Sequence, residues 1–189
     1  IESAQGCNGS LAGNIYTTGI ITGACEVRAT FDPKKVLVTA QAGAGGSISP
    51  MSQELNIGQQ ASLIVLANDG YSIESVTGCS GSLNGNTYTT GAVTANCQVQ
   101  ASFSINKVIV SARTGEGGTV DPTSQKVNHG RSARIIMTAN EGYSIESVTG
   151  CSGSLNGNTY TTSAVTANCQ VQASFSINSY TVSASTGEG

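Results

Sequence analysis

Apolar and polar residues alternate with a period of two along most of this chain. Cys97, Val99, Ala101 and Phe103 alternate with Gln98, Gln100, Ser102 and Ser104, the pattern of a strand with one face buried. Val108, Val110 and Ala112 follow the same beat, and Leu63, Val65 and Ala67 correspond to Ile135, Met137 and Ala139. Turn signals separate these runs at Gly45-Gly46, Ser49-Pro50, Asn56-Ile57-Gly58, Asn68-Asp69-Gly70 and Asn84-Gly85-Asn86. No stretch of helical length carries an apolar stripe at i, i+3, i+4 and i+7. The pattern predicts an all-β fold with about six or seven short strands in each repeating unit.

The repeat itself is nearly exact. Residues 70–106 recur as 142–178, an offset of 72 residues, with Gly91 replaced by Ser163 as the single change. A divergent third copy of this half occupies the first 32 residues and aligns Cys7 with Cys79 and Phe31 with Phe103. The other half begins at Lys35, recurs from Lys107 and starts again as SYTVSASTGEG at the C-terminus. The expected organisation is the C-terminal half of a module over 1–34, complete modules over 35–106 and 107–178, and an opening strand over 179–189. Between copies Gly43, Gly45, Gly46, Pro50, Gly58 and Gly70 are kept while outward side chains drift, so turns and core are held and faces are free.

Cysteines at 7, 25, 79, 97, 151 and 169 place one pair in each copy, 18 residues apart. Only local pairing, Cys7 with Cys25, Cys79 with Cys97 and Cys151 with Cys169, gives every copy the same internal geometry. Closing such a loop stabilises by about 3 kcal/mol in the chain-entropy model, a useful staple for a small core. A metal reading needs more ligands than one cysteine pair per copy and a single histidine in the chain. Disulfides imply an oxidising compartment, here the cell surface or the extracellular medium.

Charge narrows the function classes. With eight Lys and Arg, 10% charged residues and a net charge of −3, no basic stripe is available to track nucleic acid. No apolar run approaches the length of a membrane span, and neither an initiating Met nor a leader is present, as in a mature or excised segment.

Candidate chemistry is sparse. His129 aligns with Ile57, which fits a solvent-facing turn residue better than a catalytic one. Ser80 and Ser152 sit in Gly-Cys-Ser-Gly-Ser, which lacks the second glycine of a nucleophile elbow and any Ser-His-Asp set. Gly-Glu-Gly-Gly-Thr at 115–119 lacks the Lys-Ser/Thr of a phosphate loop, and Glu74 and Glu146 are isolated carboxylates. Asp69, Asp121 and Glu141 lie near turns without a calcium-loop pattern, and Lys35 and Lys107 have no spacing that marks an isopeptide staple. The reading is non-enzymatic, with no catalytic residues, metal or cofactor. Tyr88 and Tyr160 are the aromatic candidates to face a ligand, and Tyr71 and Tyr143 sit in comparable places.

Gly-Gly-x-Ile-x-Pro, the Gly-Tyr-x-Ile turn into a strand, the Cys-x-Gly-Ser-Leu hairpin and a closing alternating strand ending in Phe together resemble the divergent internalin-B B-repeat (bacterial repeat) modules. The resemblance spans nearly the whole chain. It implies tandem small β-sandwich or β-grasp-like modules in secreted and surface proteins of bacteria, acting as spacers or adhesive segments, and it transfers no catalytic residue.

The two ends carry complementary deficits. Residues 1–32 lack the strands that precede them in a complete unit, and an incomplete β module leaves an open edge. In the last stretch Lys107 becomes Ser179 and Arg113 becomes Ser185, so the charges that blunt an edge are gone. One expectation is that Tyr180, Thr181, Val182, Ser183, Ala184, Ser185 and Thr186 of one molecule complete the N-terminal half-unit of the next, building a fibre by strand addition. The other is a piece of a longer array. The expected function is an extracellular structural stalk or fibre that self-associates through its ends, with an adhesin-type module recognising a glycan or a surface protein as the alternative.

Overall fold

A computed structural model describes residues 1–187. The chain divides into two compact units, one of Ile1–Leu66 with Ser75–Ser102 and one of Ala67–Glu74 with the residues from Phe103 onward. Among the described residues there are strands and turns and no α-helix, as the two-residue beat requires.

The N-terminal segment holds β1 (Ser3–Gln5), β2 (Ser10–Ala12), β3 (Ile15–Thr17) and β4 (Arg28–Thr30). The first module holds β5 (Lys35–Ala42), β6 (Gly46–Ser49), β7 (Ser52–Asn56), β8 (Ser62–Ala67), β9 (Tyr71–Thr77), β10 (Ser82–Asn84), β11 (Thr87–Thr89) and β12 (Cys97–Ile105). The second repeats it as β13 (Lys107–Thr114), β14 (Gly118–Asp121), β15 (Ser124–Asn128), β16 (Arg134–Ala139), β17 (Tyr143–Thr149), β18 (Ser154–Asn156), β19 (Thr159–Thr161) and β20 (Cys169–Ile177). Each module therefore has more strands than the pattern predicts. Ser-Pro splits one apolar run into β6 and β7, and Ser82–Thr89 folds on itself as a hairpin of two three-residue strands.

Each module is a sandwich of two four-stranded sheets, ordered β7-β5-β12-β9 and β10-β11-β8-β6 in the first and β15-β13-β20-β17 and β14-β16-β19-β18 in the second. Of the two forms expected, this is the sandwich, since a β-grasp needs a helix across its sheet. The opening and closing strands of a module meet in the middle of one sheet and run parallel, Cys97 opposite Val38 through Ala101 opposite Ala42, and Val110 opposite Cys169 through Thr114 opposite Ala173. Pairing first strand to last closes the module on itself.

The core follows from the alternation. Val108, Val110 and Ala112 of β13 with Val171 and Ala173 of β20 face Val120, Ile135, Met137 and Tyr160 of the other sheet. The buried apolar positions of the first module, from Val36 and Val38 to Val99 and Ala101, are the same ones shifted by one repeat. Leu55 against Val127 and Val65 against Met137 change shape at conserved depth, swaps that a core absorbs when its volume is kept. The buried hydroxyls of Thr90 and Thr162 accept from the amides of Ala61 and Ala133, so no polar group is stranded there.

His129 departs from the solvent-facing turn expected of it. Its amide donates to the carbonyl of Asn106, as that of Ile57 does to Lys34, and its half-buried ring lies over Gly70. A Cβ at Gly70 would come within 2.3 Å of Nδ1, whereas Gly142, its counterpart, has nothing within 4 Å.

Candidate functional site

In every copy the first cysteine lies in a tight turn that no glycine serves. Cys79 and Ser80 both take positive φ, 48° and 50°, while the amide of Gly81 donates to the carbonyl of Gly78 at 3.2 Å. This is the geometry of a type I′ turn, which L-residues adopt at a cost of about 1–2 kcal/mol each. Three tethers hold it. Cys79 is bonded to Cys97, the amide of Gly91 donates to the carbonyl of Cys79 at 3.0 Å, and the hydroxyl of Tyr88 donates to the carbonyl of Gly78 at 2.6 Å. Cys151 and Ser152 repeat the turn with the bond to Cys169 and with Tyr160 on Gly150, and Ser163 adds a hydroxyl bond to the carbonyl of Ser152. Cys7 and Asn8 repeat it again with the bond to Cys25 and with Tyr16 on Gly6.

These contacts correct the aromatic assignment. Tyr88 and Tyr160 are 1% and 2% exposed, and their rings close over Gly81 and Gly153, where a Cβ would lie 2.6 Å from the ring. They are interior posts of the turn and cannot face a ligand. The alternation hides this, because an inward aromatic reads the same whether its hydroxyl ends at the rim or on a carbonyl.

The edge left open by the N-terminal segment is the most distinctive surface. β1 pairs with β4 and β2 with β3, but among the described residues no strand lies on the far side of β4. In the modules that side is taken by the opening strand. β12 and β20 run nine residues from their cysteines, while β4 has only three, and Cys25–Val27 has lost strand geometry where its partner is missing. Val27 is 40% exposed, whereas its counterparts Val99 and Val171 are 0% exposed. Ile21 and Phe31 are exposed as well.

At the other end, residues 179–187 form no strand. Val182 is 94% exposed, while its counterpart Val110 is buried, and Tyr180 stands in the place of buried Val108. Glu188 and Gly189 lie outside the described residues.

Inside a module the opening strand is held by more than its ladder. The Asn96 side-chain oxygen accepts from the amide of Leu37 at 2.8 Å, and Asn168 does the same for Ile109. The hydroxyls of Thr39 and Ser111 donate to the carbonyls of Cys97 and Cys169. Neither asparagine is marked by the sequence, since each sits in a loop and reaches a strand 59 residues away.

The remaining candidates do not converge. Among the described residues there is no group of three or more His, Cys, Asp or Glu placed to hold a metal. Lys35 pairs with Glu54 at 3.2 Å on the exposed face of the sheet. No helix is long and apolar enough to cross a membrane.

Fold and site define a tandem array of disulfide-stapled β sandwiches whose distinctive surfaces are strand edges. The divergent InlB B-repeat domain model matches residues 36–107 and 108–179, and the chain belongs to that family. No curated protein and no solved structure matches it. The family is generally one of non-enzymatic repeats, and membership together with three disulfides fits an extracellular or surface protein.

Proposed function

We propose that this protein is a structural repeat of a bacterial surface stalk or fibre, and that copies join head to tail by strand complementation. The observation that carries the reading is the matched pair of unpaired elements. The edge of β4 exposes Val27, where both modules seat an opening strand, and residues 180–186 are such a strand, with Val182 exposed. Adding a strand to an open edge satisfies its backbone groups and covers its apolar side chains in one step. A heterologous contact of this kind propagates instead of closing. Low charge suits the role, since the tail carries no lysine or arginine to repel an edge. The adhesin alternative loses its aromatic platform with Tyr88 and Tyr160 buried.

Sedimentation velocity of the full chain over a concentration series tests this reading, with Val182→Asp as control. Particles should lengthen with concentration in the parent chain and stay monomeric in the variant. A parent chain that remains monomeric at all concentrations would contradict it.

A further inference from the structure

We infer that position 24 sets the strength of the joint between copies: Asn96 and Asn168 lock the opening strand inside a module, and Ala24 leaves the joint without that lock. The inference rests on the strand-complementation reading and deepens it.

The register follows from the repeat. In the second module Val110, Ser111, Ala112, Arg113 and Thr114 stand opposite Cys169, Gln170, Val171, Gln172 and Ala173. Carried to the two ends, this places Val182 opposite Cys25, Ala184 opposite Val27 and Thr186 opposite Ala29 of the accepting copy. Several module contacts survive the transfer. Ser183 supplies the hydroxyl that Ser111 donates to Cys169, aimed now at the carbonyl of Cys25. Gly187 supplies the amide that Gly115 donates to Ala173, aimed now at Ala29. Ala184 falls on Val27 as Ala112 falls on Val171.

One contact does not survive. The residue before the closing-strand cysteine is Asn96 in the first module, Asn168 in the second and Ala24 in the N-terminal segment. In both modules the asparagine extends the ladder by one bond beyond the strand, accepting from Leu37 or Ile109 at 2.8 Å. The corresponding amide in the tail is that of Thr181, and Ala24 has no oxygen to offer it. The joint between copies therefore has the module's pairing minus one hydrogen bond at the end where the strand enters. It forms by the same geometry and releases first.

The test compares the full chain with Ala24→Asn. Ala24 is exposed, so the change adds an acceptor without filling the interior. Assemblies are diluted and their dissociation is followed by light scattering. The variant should dissociate about 2- to 10-fold more slowly, the range one net hydrogen bond supplies. Equal dissociation would overturn the assignment and leave strand donation standing, while failure of both chains to assemble would overturn both. In the same chain Asn168→Ala should speed hydrogen exchange at the Ile109 amide, and unchanged exchange there would overturn the lock itself.

Discussion

The hydroxyl of Tyr88 donates to the carbonyl of Gly78, ten residues earlier, at 2.6 Å, and Tyr160 makes the same bond to Gly150. Each tyrosine thereby ties a hairpin strand to the turn that carries a cysteine, and its ring fills the core beneath. The staple and the core are thus coupled through one side chain.

Tyr88→Phe and Tyr160→Phe keep the ring and remove the tether. Each should cost about 0.5–1.5 kcal/mol in urea unfolding, with the double variant close to the sum because the two bonds lie in separate modules. Leaving a buried Gly78 or Gly150 carbonyl without a donor sets the upper end of that range. Unchanged stability would mean that the turn is held by its disulfide alone.

Gly70→Ala and Gly142→Ala separate a steric contact from backbone cost. Both glycines have similar φ, +76° and +80°, so both lose about 1 kcal/mol to the left-handed conformation. Only Gly70→Ala also drives a methyl into the His129 ring. Gly70→Ala should be the more destabilising in thermal unfolding, and His129→Ala should recover the difference in a double-mutant cycle. Equal losses would remove His129 from the account.

The fold was largely legible from the chain. Alternation at Cys97–Ser104 and Val108–Ala112 gives strands and faces, and the repeat gives the local cysteine pairs. What stayed hidden depends on long-range placement. Asn96 reads as a loop residue until β5 is brought beside it, and His129 reads as a turn residue until Gly70 lies under it. Tyr88 and Tyr160 suggested a binding surface because alternation reports which side a residue faces and not where its hydroxyl ends.

The disulfides should differ in accessibility. Cys25 is exposed, while Cys79, Cys97, Cys151 and Cys169 are half-buried within complete modules. Mild reduction followed by alkylation and mass spectrometry should open Cys7–Cys25 first. Full reduction should lower stability by about 3 kcal/mol per module and yield aggregates or swapped dimers, since near-identical repeats then mispair. Simultaneous opening of all three bonds would contradict the ordering.

The central claim is that residues 180–186 of one copy lie along β4 of another, and crosslinking reads that contact directly. A photoreactive phenylalanine analogue replaces Tyr180, copies of normal and heavy-isotope chains are mixed and irradiated, and crosslinked peptides are mapped. The account predicts mixed-isotope pairs joining position 180 to the residues around Thr22–Glu26. Crosslinks confined within single chains, or scattered over the surface without preference for that segment, would contradict it.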